Sequence, residues 1–558
     1  MRIAGRNLIM RLSSLTLVLA VALPLTVGAR AQSAAPGDTD AAMTRVVGRI
    51  IAQEHAFSER IVKYQPRVET YIQNLTRDAD LTARPAGDDY FLGYMDLSHG
   101  LREPMFTKTE SGIFSKVTGI FRTRYNPLGF VQMIMPDRYR FNDTYYSFDF
   151  QGRDFLGDVR CLMFDVAPKK GYAHGSFKGR IWVEDQGYNI VRFDGTFVPD
   201  KMTHHFFHFD SWRMEMGPGY WLPAQIYTEE GELNKTLVKA ETRFWGYDLA
   251  AARHSELTDV EVDSTAPVDD QSQTSHDKMP LTRERDWERK AEDDVLVRMQ
   301  KAGLLSPEGE VDKVLDTVLN NLEVTNNLNI QPPVRARVML TTPMESFTVG
   351  HTIVVSRGLI DVLPDEPSLA MILAHELGHI VLNQGIDTKY AFDDRMIFPD
   401  QQLFHQIQML RTPAEEAAAD QKGLDLLEKS PYASQLGQAG LFLLALSHQA
   451  EGMPNLVSAH MGNSMVLHGR LDRMQALIAR APQLQPRNPK QEPADALGTH
   501  IRLDPWTDQI TLVKAAAPPI ISARDKLSFE ITPVELYLTR IPADGAAAAV
   551  TAKGGSPK

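Results

Sequence analysis

Scarcity of cysteine excludes intramolecular disulfides: the 558 residues hold a single one, Cys161, so stability must come from packing. Long apolar runs are also scarce. Beyond residue 31 no stretch approaches the roughly 18 uncharged apolar residues of a membrane span, so no transmembrane segment is expected in the mature chain. A basic excess is missing as well. The formal net charge is −12, which argues against nucleic acid as a partner.

What is present begins with an export signature. Arg2, Arg6 and Arg11 precede the apolar run Leu15 to Val27, and Ala29-Arg30-Ala31 offers a small-x-small cleavage site. Residues 1–31 read as a removable signal peptide, with an uncleaved anchor as the other reading of the same run. The mature protein is then expected in a periplasm or secreted. Loss of four arginines with the signal would take the charge to −16.

The remaining chain exceeds what one core usually serves, and its composition changes along its length. Residues 41–253 read as one domain. It opens with an amphipathic helix from Met43 to about Thr76 and continues as short strands, among them 112–121, 145–150, 179–184, 188–193 and 203–209. The short Asp185-Gln-Gly187 turn between two of these runs is a hairpin signal, so an antiparallel sheet is expected. His204, His205 and His208 are read as surface or packing residues, because 204 and 208 share a strand face while 205 points away.

Residues 254–282 are rich in Asp, Ser, Thr and Gln and are expected to form a linker that permits relative motion. Residues 283–482 form a second, mainly helical domain. Residues 483–545 are a C-terminal extension with strand-like runs at 510–514 and 527–538, and 546–558 are expected to be a disordered tail. The fold class is α+β, with several domains.

Chemistry concentrates in the second domain, in Ser368-Leu-Ala-Met-Ile-Leu-Ala-His-Glu-Leu-Gly-His-Ile-Val-Leu382. On a helix, His375 and His379 lie four residues apart on one face and can offer two imidazole nitrogens to one zinc ion, with Glu376 beside them. Pro364, Asp365 and Pro367 punctuate the start, Gly385 suits the stop, and Leu369, Ile372, Leu373, Ile380 and Val381 supply a buried stripe. A buried helix whose histidines merely satisfy hydrogen bonds is the competing reading.

A third ligand is sought at Thr412-Pro-Ala-Glu-Glu-Ala-Ala-Ala-Asp-Gln-Lys-Gly423. Thr412 can cap, Pro413 suits the first helical position and Glu415 completes a capping box, so Glu416 falls in the first turn. Glu416, Asp420 and Gly423 share a face, and the small residues would let the two helices approach closely. On spacing alone, Glu416 is equally an acid at the positive end of a helix dipole.

Together these elements resemble the HExxH zinc metallopeptidase family of the CAAX prenyl proteases, HtpX and BepA. The resemblance runs from about Arg283 to Ala481. It rests on His375 to His379, on Glu416-Ala-Ala-Ala-Asp420, on His468-Gly-Arg-Leu-Asp-Arg473, and on the upstream runs 334–340 and 352–363. It implies a zincin-type metallopeptidase domain with a small β edge and one Zn2+ per chain, held by His375, His379 and Glu416. Glu376 would be the general base, Asp420 would accept the free N–H of a liganding histidine, and His468 or Arg473 would stabilise the oxyanion. Proteins or peptides would be the substrates.

The chain departs from the family in three places. Glu345-Ser346-Phe347 stands where relatives show Asn-Ala-Phe, Gly469 stands where a proline is usual, and Glu416 comes only 37 positions after His379. In the first domain, Phe177 to Arg192 and Gly219-Tyr-Trp-Leu-Pro223 resemble the lipoprotein-carrier-like half-barrels, which implies contact with lipid or lipoprotein. A periplasmic binding or chaperone-like protein with a latent peptidase fold is the alternative.

Overall fold

The computed structural model describes residues 36–77, 83–97, 127–198, 207–233, 236–247, 280–384, 407–467, 469–481, 501–504, 509–512, 529, 531, 533 and 535–541. The chain divides into two compact units, Met1–Val46 and Val47–Lys558. The expected signal, most of the linker, the strand at 112–121, His204, His205, His468 and the tail lie outside the described residues. Among those described, no helix is long and apolar enough to cross a membrane.

The helices, in chain order, are α1 (Pro36–Ile61), α2 (Pro127–Gln132), α3 (Pro280–Lys301), α4 (Glu310–Thr325), α5 (Arg357–Val362), α6 (Glu366–Val381), α7 (Pro413–Glu428) and α8 (Leu436–Gln449). Helix α1 ends where Pro66 approaches, and the stretch expected to continue it to Thr76 is instead a strand, β1 (Arg67–Arg77). The reason lies in the residues. Val68, Thr70 and Ile72 are β-branched, and Pro66 disfavours helix in the residue before it.

Nine strands form one antiparallel sheet: β1, β2 (Ala83–Tyr94), β3 (Tyr146–Leu156), β4 (Val159–Pro168), β5 (Phe177–Glu184), β6 (Ile190–Phe197), β7 (His208–Gly217), β8 (Tyr220–Leu233) and β9 (Thr236–Trp245). Its order is β2-β1-β9-β8-β7-β6-β5-β4-β3. Strands β3 to β9 follow one another by hairpins, and the β1–β2 hairpin adds beside β9. The sheet is open, since β2 and β3 stand at opposite ends. The expected hairpin joins β5 and β6, where Glu184 accepts the N–H groups of Gln186, Gly187 and Asn189. His208 is half-exposed and pairs with Asp194 at 2.7 Å.

Ile50, Phe57 and Ile61 bury one face of α1. Glu54 shares that face, and Arg213 of β7 meets it with two 2.7 Å bonds while its guanidinium lies 3.7 Å from the Phe57 ring centre. Such a buried charge is tolerated because it is paired.

The second region builds a three-stranded sheet from β10 (Arg335–Met339), β11 (Ser346–Val349) and β12 (Thr352–Ser356), ordered β10-β12-β11 with β11 at the edge. Beyond it are two short hairpins, β13 (Val466–Leu467) with β14 (Arg470–Leu471), and β15 (Ile501–Asp504) with β16 (Gln509–Leu512). The strand expected at 527–538 does not form among the described residues. That segment is tied down locally instead: Gln73 of β1 holds the Phe529 carbonyl and the Ile531 N–H, and Asp158 donates its N–H to the Leu538 carbonyl. A 3-10 turn follows β14 over Gln475–Arg480.

The two regions share a core. Tyr71, Tyr90, Leu92, Tyr227 and Trp245 of the large sheet belong to the same apolar cluster as Leu315, Leu359 and Leu373. Polar ties cross the same joint. Glu69 accepts from the Thr342 N–H at 2.7 Å and hydroxyl at 2.8 Å, and Trp245 donates to the Gly303 carbonyl at 2.8 Å. Motion at the linker therefore does not imply motion at this joint, because opening it would expose both apolar surface and buried carboxylate.

Candidate metal centre and active site

Helix α6 begins as its residues require. The Asp365 side chain accepts from the Ser368 N–H at 2.9 Å, Pro367 lies in the first turn, and every residue from Pro367 to His379 is buried. The stop expected at Gly385, itself outside the described residues, comes at Asn383, which adopts a left-handed conformation at φ 54°. That turn folds Gln384 back onto the helix end, where its N–H donates to the His379 carbonyl. Helix α7 starts at the Thr412 cap with Pro413 and the Glu415 capping box as its sequence requires.

Two glycines set the separation of these helices. A Cβ on Gly378 would lie 2.7 Å from the Ala419 carbonyl oxygen, and one on Gly423 would lie 3.0 Å from the backbone of Ala374 and His375. Contact this close brings the α7 carboxylates to the α6 imidazoles. His375 Nε2 lies 3.3 Å from Glu416 Oε2, His379 Nε2 lies 3.6 Å from Glu416 Oε1, and the two Nε2 atoms are 3.2 Å apart.

The opposite ring nitrogens are already engaged. His375 Nδ1 meets Asp420 Oδ1 at 2.7 Å, and because a carboxylate only accepts, that nitrogen carries the proton. His379 Nδ1 meets Gln384 Oε1 at 2.5 Å. Both Nε2 lone pairs thus point at each other and at Glu416, whose two oxygens are buried with no hydrogen-bond partner. Three acceptors converge on one point, their ligand atoms all within 4.8 Å of one another. Such a set needs a cation, and two imidazoles with a carboxylate fit zinc.

The surroundings favour an ionised Glu416 and a neutral His379. Burial would raise the Glu416 carboxyl, yet the neighbouring His375 ring and the Arg473 charge hold it at about 2. Burial would also lower His375, and the Arg473 charge adds to that, but the hydrogen bond to Asp420 and the nearby Glu416 carboxylate prevail and its pKa rises. That of His379 falls, chiefly through burial.

Glu376, also buried, is tied to Glu416 through Arg473. Its Oε1 receives the Ser346 hydroxyl at 2.7 Å and Arg473 Nη1 at 3.2 Å. Arg473 also lies with Nε 3.2 Å from Glu416 Oε2, and Nη2 donates to the Asn463 carbonyl at 2.8 Å. The structure thus gathers His375, Glu376, His379, Glu416, Asp420 and Arg473. Ser346 and Gln384 join them without having been assigned from sequence. For Ser346 a signal existed, the departure at Glu345-Ser346-Phe347; for Gln384 there was none.

Residues 308–463 match the model of peptidase family M48. That segment holds the two histidines, Glu376, Glu416 and Asp420 and ends before Arg473. No curated protein matches the chain. Among solved structures, a LolA superfamily protein from Nitrosomonas europaea is similar at 10% identity and a TM-score of 0.18, over 36% of this chain and 90% of that one. A DUF1329 family protein from Desulfovibrio piger is similar at 11% identity and a TM-score of 0.17, over 36% of this chain and 92% of that one.

Proposed function

We propose that the chain is an exported, zinc-dependent endopeptidase that hydrolyses peptide bonds in proteins or peptides. The observation that carries this reading is the convergence of two imidazole lone pairs on a buried carboxylate without hydrogen-bond partners, in a segment that matches the model of peptidase family M48. His375, His379 and Glu416 would hold the ion. When bound, zinc would supply Lewis acidity, drawing the pKa of a water toward about 7 and polarising the scissile carbonyl.

The remaining steps belong to side chains. Glu376 takes the proton of the attacking water and passes it to the leaving amine, a role typically worth about 10²–10⁴-fold. Asp420 and Gln384 fix the tautomers of the two histidines. Arg473, with His468 as a further donor, would neutralise charge developing on the carbonyl oxygen. Export rests on the signature in residues 1–31.

One observation favours the second reading, a latent or binding protein: Glu376 is 1% exposed and Arg473 4%. Substrate reaches neither until something moves. The test is cleavage of an unfolded protein by the mature chain at known zinc occupancy, beside Glu376→Gln. Cleavage by the unsubstituted chain alone supports the peptidase; no cleavage by either at full zinc supports the latent reading.

A further inference from the structure

Two hydrogen bonds distinguish the oxygens of Glu376. Ser346 lies on the edge strand β11, fully buried, with its Oγ 2.7 Å from Glu376 Oε1 and 3.1 Å from Arg473 Nη1. Their directions follow from chemistry. A guanidinium N–H can only donate and a carboxylate can only accept, so the hydroxyl accepts from Arg473 and gives its one proton to Glu376. Arg473 Nη1 reaches the same Oε1 directly at 3.2 Å. Both donors therefore fall on Oε1, and among the described residues none falls on Oε2.

The Ser346 backbone is itself clamped. It pairs with Val355 of β12, and the neighbouring Glu345 N–H donates to Ser356 Oγ at 3.0 Å. The Glu345 carboxylate then accepts the N–H groups of His460 at 3.0 Å and Met461 at 2.9 Å, drawing the loop before Arg473 against the strand. A Cβ on Gly462 would come within 2.8 Å of the Ser346 carbonyl oxygen. The hydroxyl is held in place by strand pairing on one side and by this loop on the other.

We infer that Ser346 is a positioning residue for the reaction, anchoring Glu376 through Oε1 so that Oε2 is the oxygen that exchanges the proton with water and leaving group. This rests on the peptidase reading above. It gives a reason for the serine in Glu345-Ser346-Phe347: a side chain ending at Cβ in that position would hold the strand equally well and leave Oε1 to the longer Arg473 bond alone.

The test uses the zinc-loaded mature chain and a peptide hydroxamate, whose acidic proton is accepted by a base beside the metal. Affinity is measured calorimetrically for the unsubstituted protein, Ser346→Ala, Glu376→Gln and the double variant. Losing a charge-assisted hydrogen bond should weaken binding by Ser346→Ala roughly tenfold, with zinc stoichiometry unchanged, and the loss should vanish in the Glu376→Gln background. Ser346→Thr keeps the hydroxyl on a strand that favours β-branched residues and should bind within about threefold of the unsubstituted chain.

With peptide substrate, kcat should fall in Ser346→Ala and KM should hold. A loss of equal size in both backgrounds, or none in either, overturns the positioning role while leaving the peptidase reading intact. Failure of the unsubstituted chain to take up zinc overturns both.

Discussion

Each histidine of the site divides its work between two ring nitrogens, and the division makes separate predictions for the two kinds of residue involved. Removing an imidazole removes a ligand, so His379→Ala should lose zinc outright. Removing the acceptor behind it leaves the ligand but frees its ring: Gln384→Leu should bind zinc about 10–100-fold more weakly, the usual effect of deleting such a partner. Both are read by metal titration of the purified chain. Zinc held at full stoichiometry by His379→Ala would refute the ligand set. The contrast also shows what a sequence reveals at this scale. The spacing of His375 and His379 is a helical period and legible as such, whereas Gln384 reaches Nδ1 only because Asn383 turns left-handed, at φ 54°. Asn383 is a residue type that takes this conformation readily, yet Gly385 two positions later offered the stronger stop signal and drew the expectation there. Arg473 was legible only by likeness to a family motif.

At the scale of elements, the separation of α6 and α7 governs whether Glu416 reaches the histidines. Gly423 is the probe that leaves the histidine helix itself unaltered, and a Cβ there meets backbone 3.0 Å away rather than a side chain that can swing aside. Gly423→Ala should therefore push the helices apart by a few tenths of an ångström, cost about 1–3 kcal/mol of stability as overpacking does, and weaken zinc binding. Thermal melts with and without zinc measure both terms, and a variant more stable than the parent would show that the helices were not in tight contact. Both helices were readable in advance because their starts carry local chemistry, Asp365 before one and Thr412-Pro413 with Glu415 at the other. Strand β1 was not. Its residues 68 to 75 are buried on both faces, so the apolar positions lack the period-two alternation that marks a half-exposed strand and resemble an amphipathic helix instead.

Over the whole molecule, the large sheet reaches the site through one loop. Asp88 on β2 accepts the N–H groups of Asn455 at 3.0 Å and Leu456 at 2.8 Å, Tyr90 stacks on His460 at 5.7 Å, and Glu345 takes the N–H groups that follow. The same loop supplies the Asn463 carbonyl that holds Arg473. None of this was legible, because it joins residues hundreds of positions apart through buried carboxylates whose partners are backbone N–H groups, and any residue can provide those. Burial also costs these carboxylates: those of Asp88 and Glu69 have their pKa values raised chiefly by desolvation.

Glu345 shows the consequence most clearly, and its sign can be worked out. Burial lifts its carboxyl from 4.5 to about 7, against the pull of three backbone N–H groups and Arg473. A carboxyl whose pKa is raised on folding adds no pH dependence below about 4.5, where folded and unfolded chains are both protonated. As pH rises, the unfolded chain ionises first, and the folded state is progressively disfavoured until it too ionises above about 7. At about 1.4 kcal/mol per unit, the effect amounts to roughly 3 kcal/mol at most. Glu345→Gln keeps an acceptor for the loop and cannot ionise. Between pH 5 and pH 8, therefore, its stability relative to the unsubstituted chain should improve by about 2–3 kcal/mol, measured by denaturant titration at each pH. A difference that stays constant across that range would mean that Glu345 ionises as freely in the folded protein as in the unfolded one, and that the loop joining sheet to site is open to water.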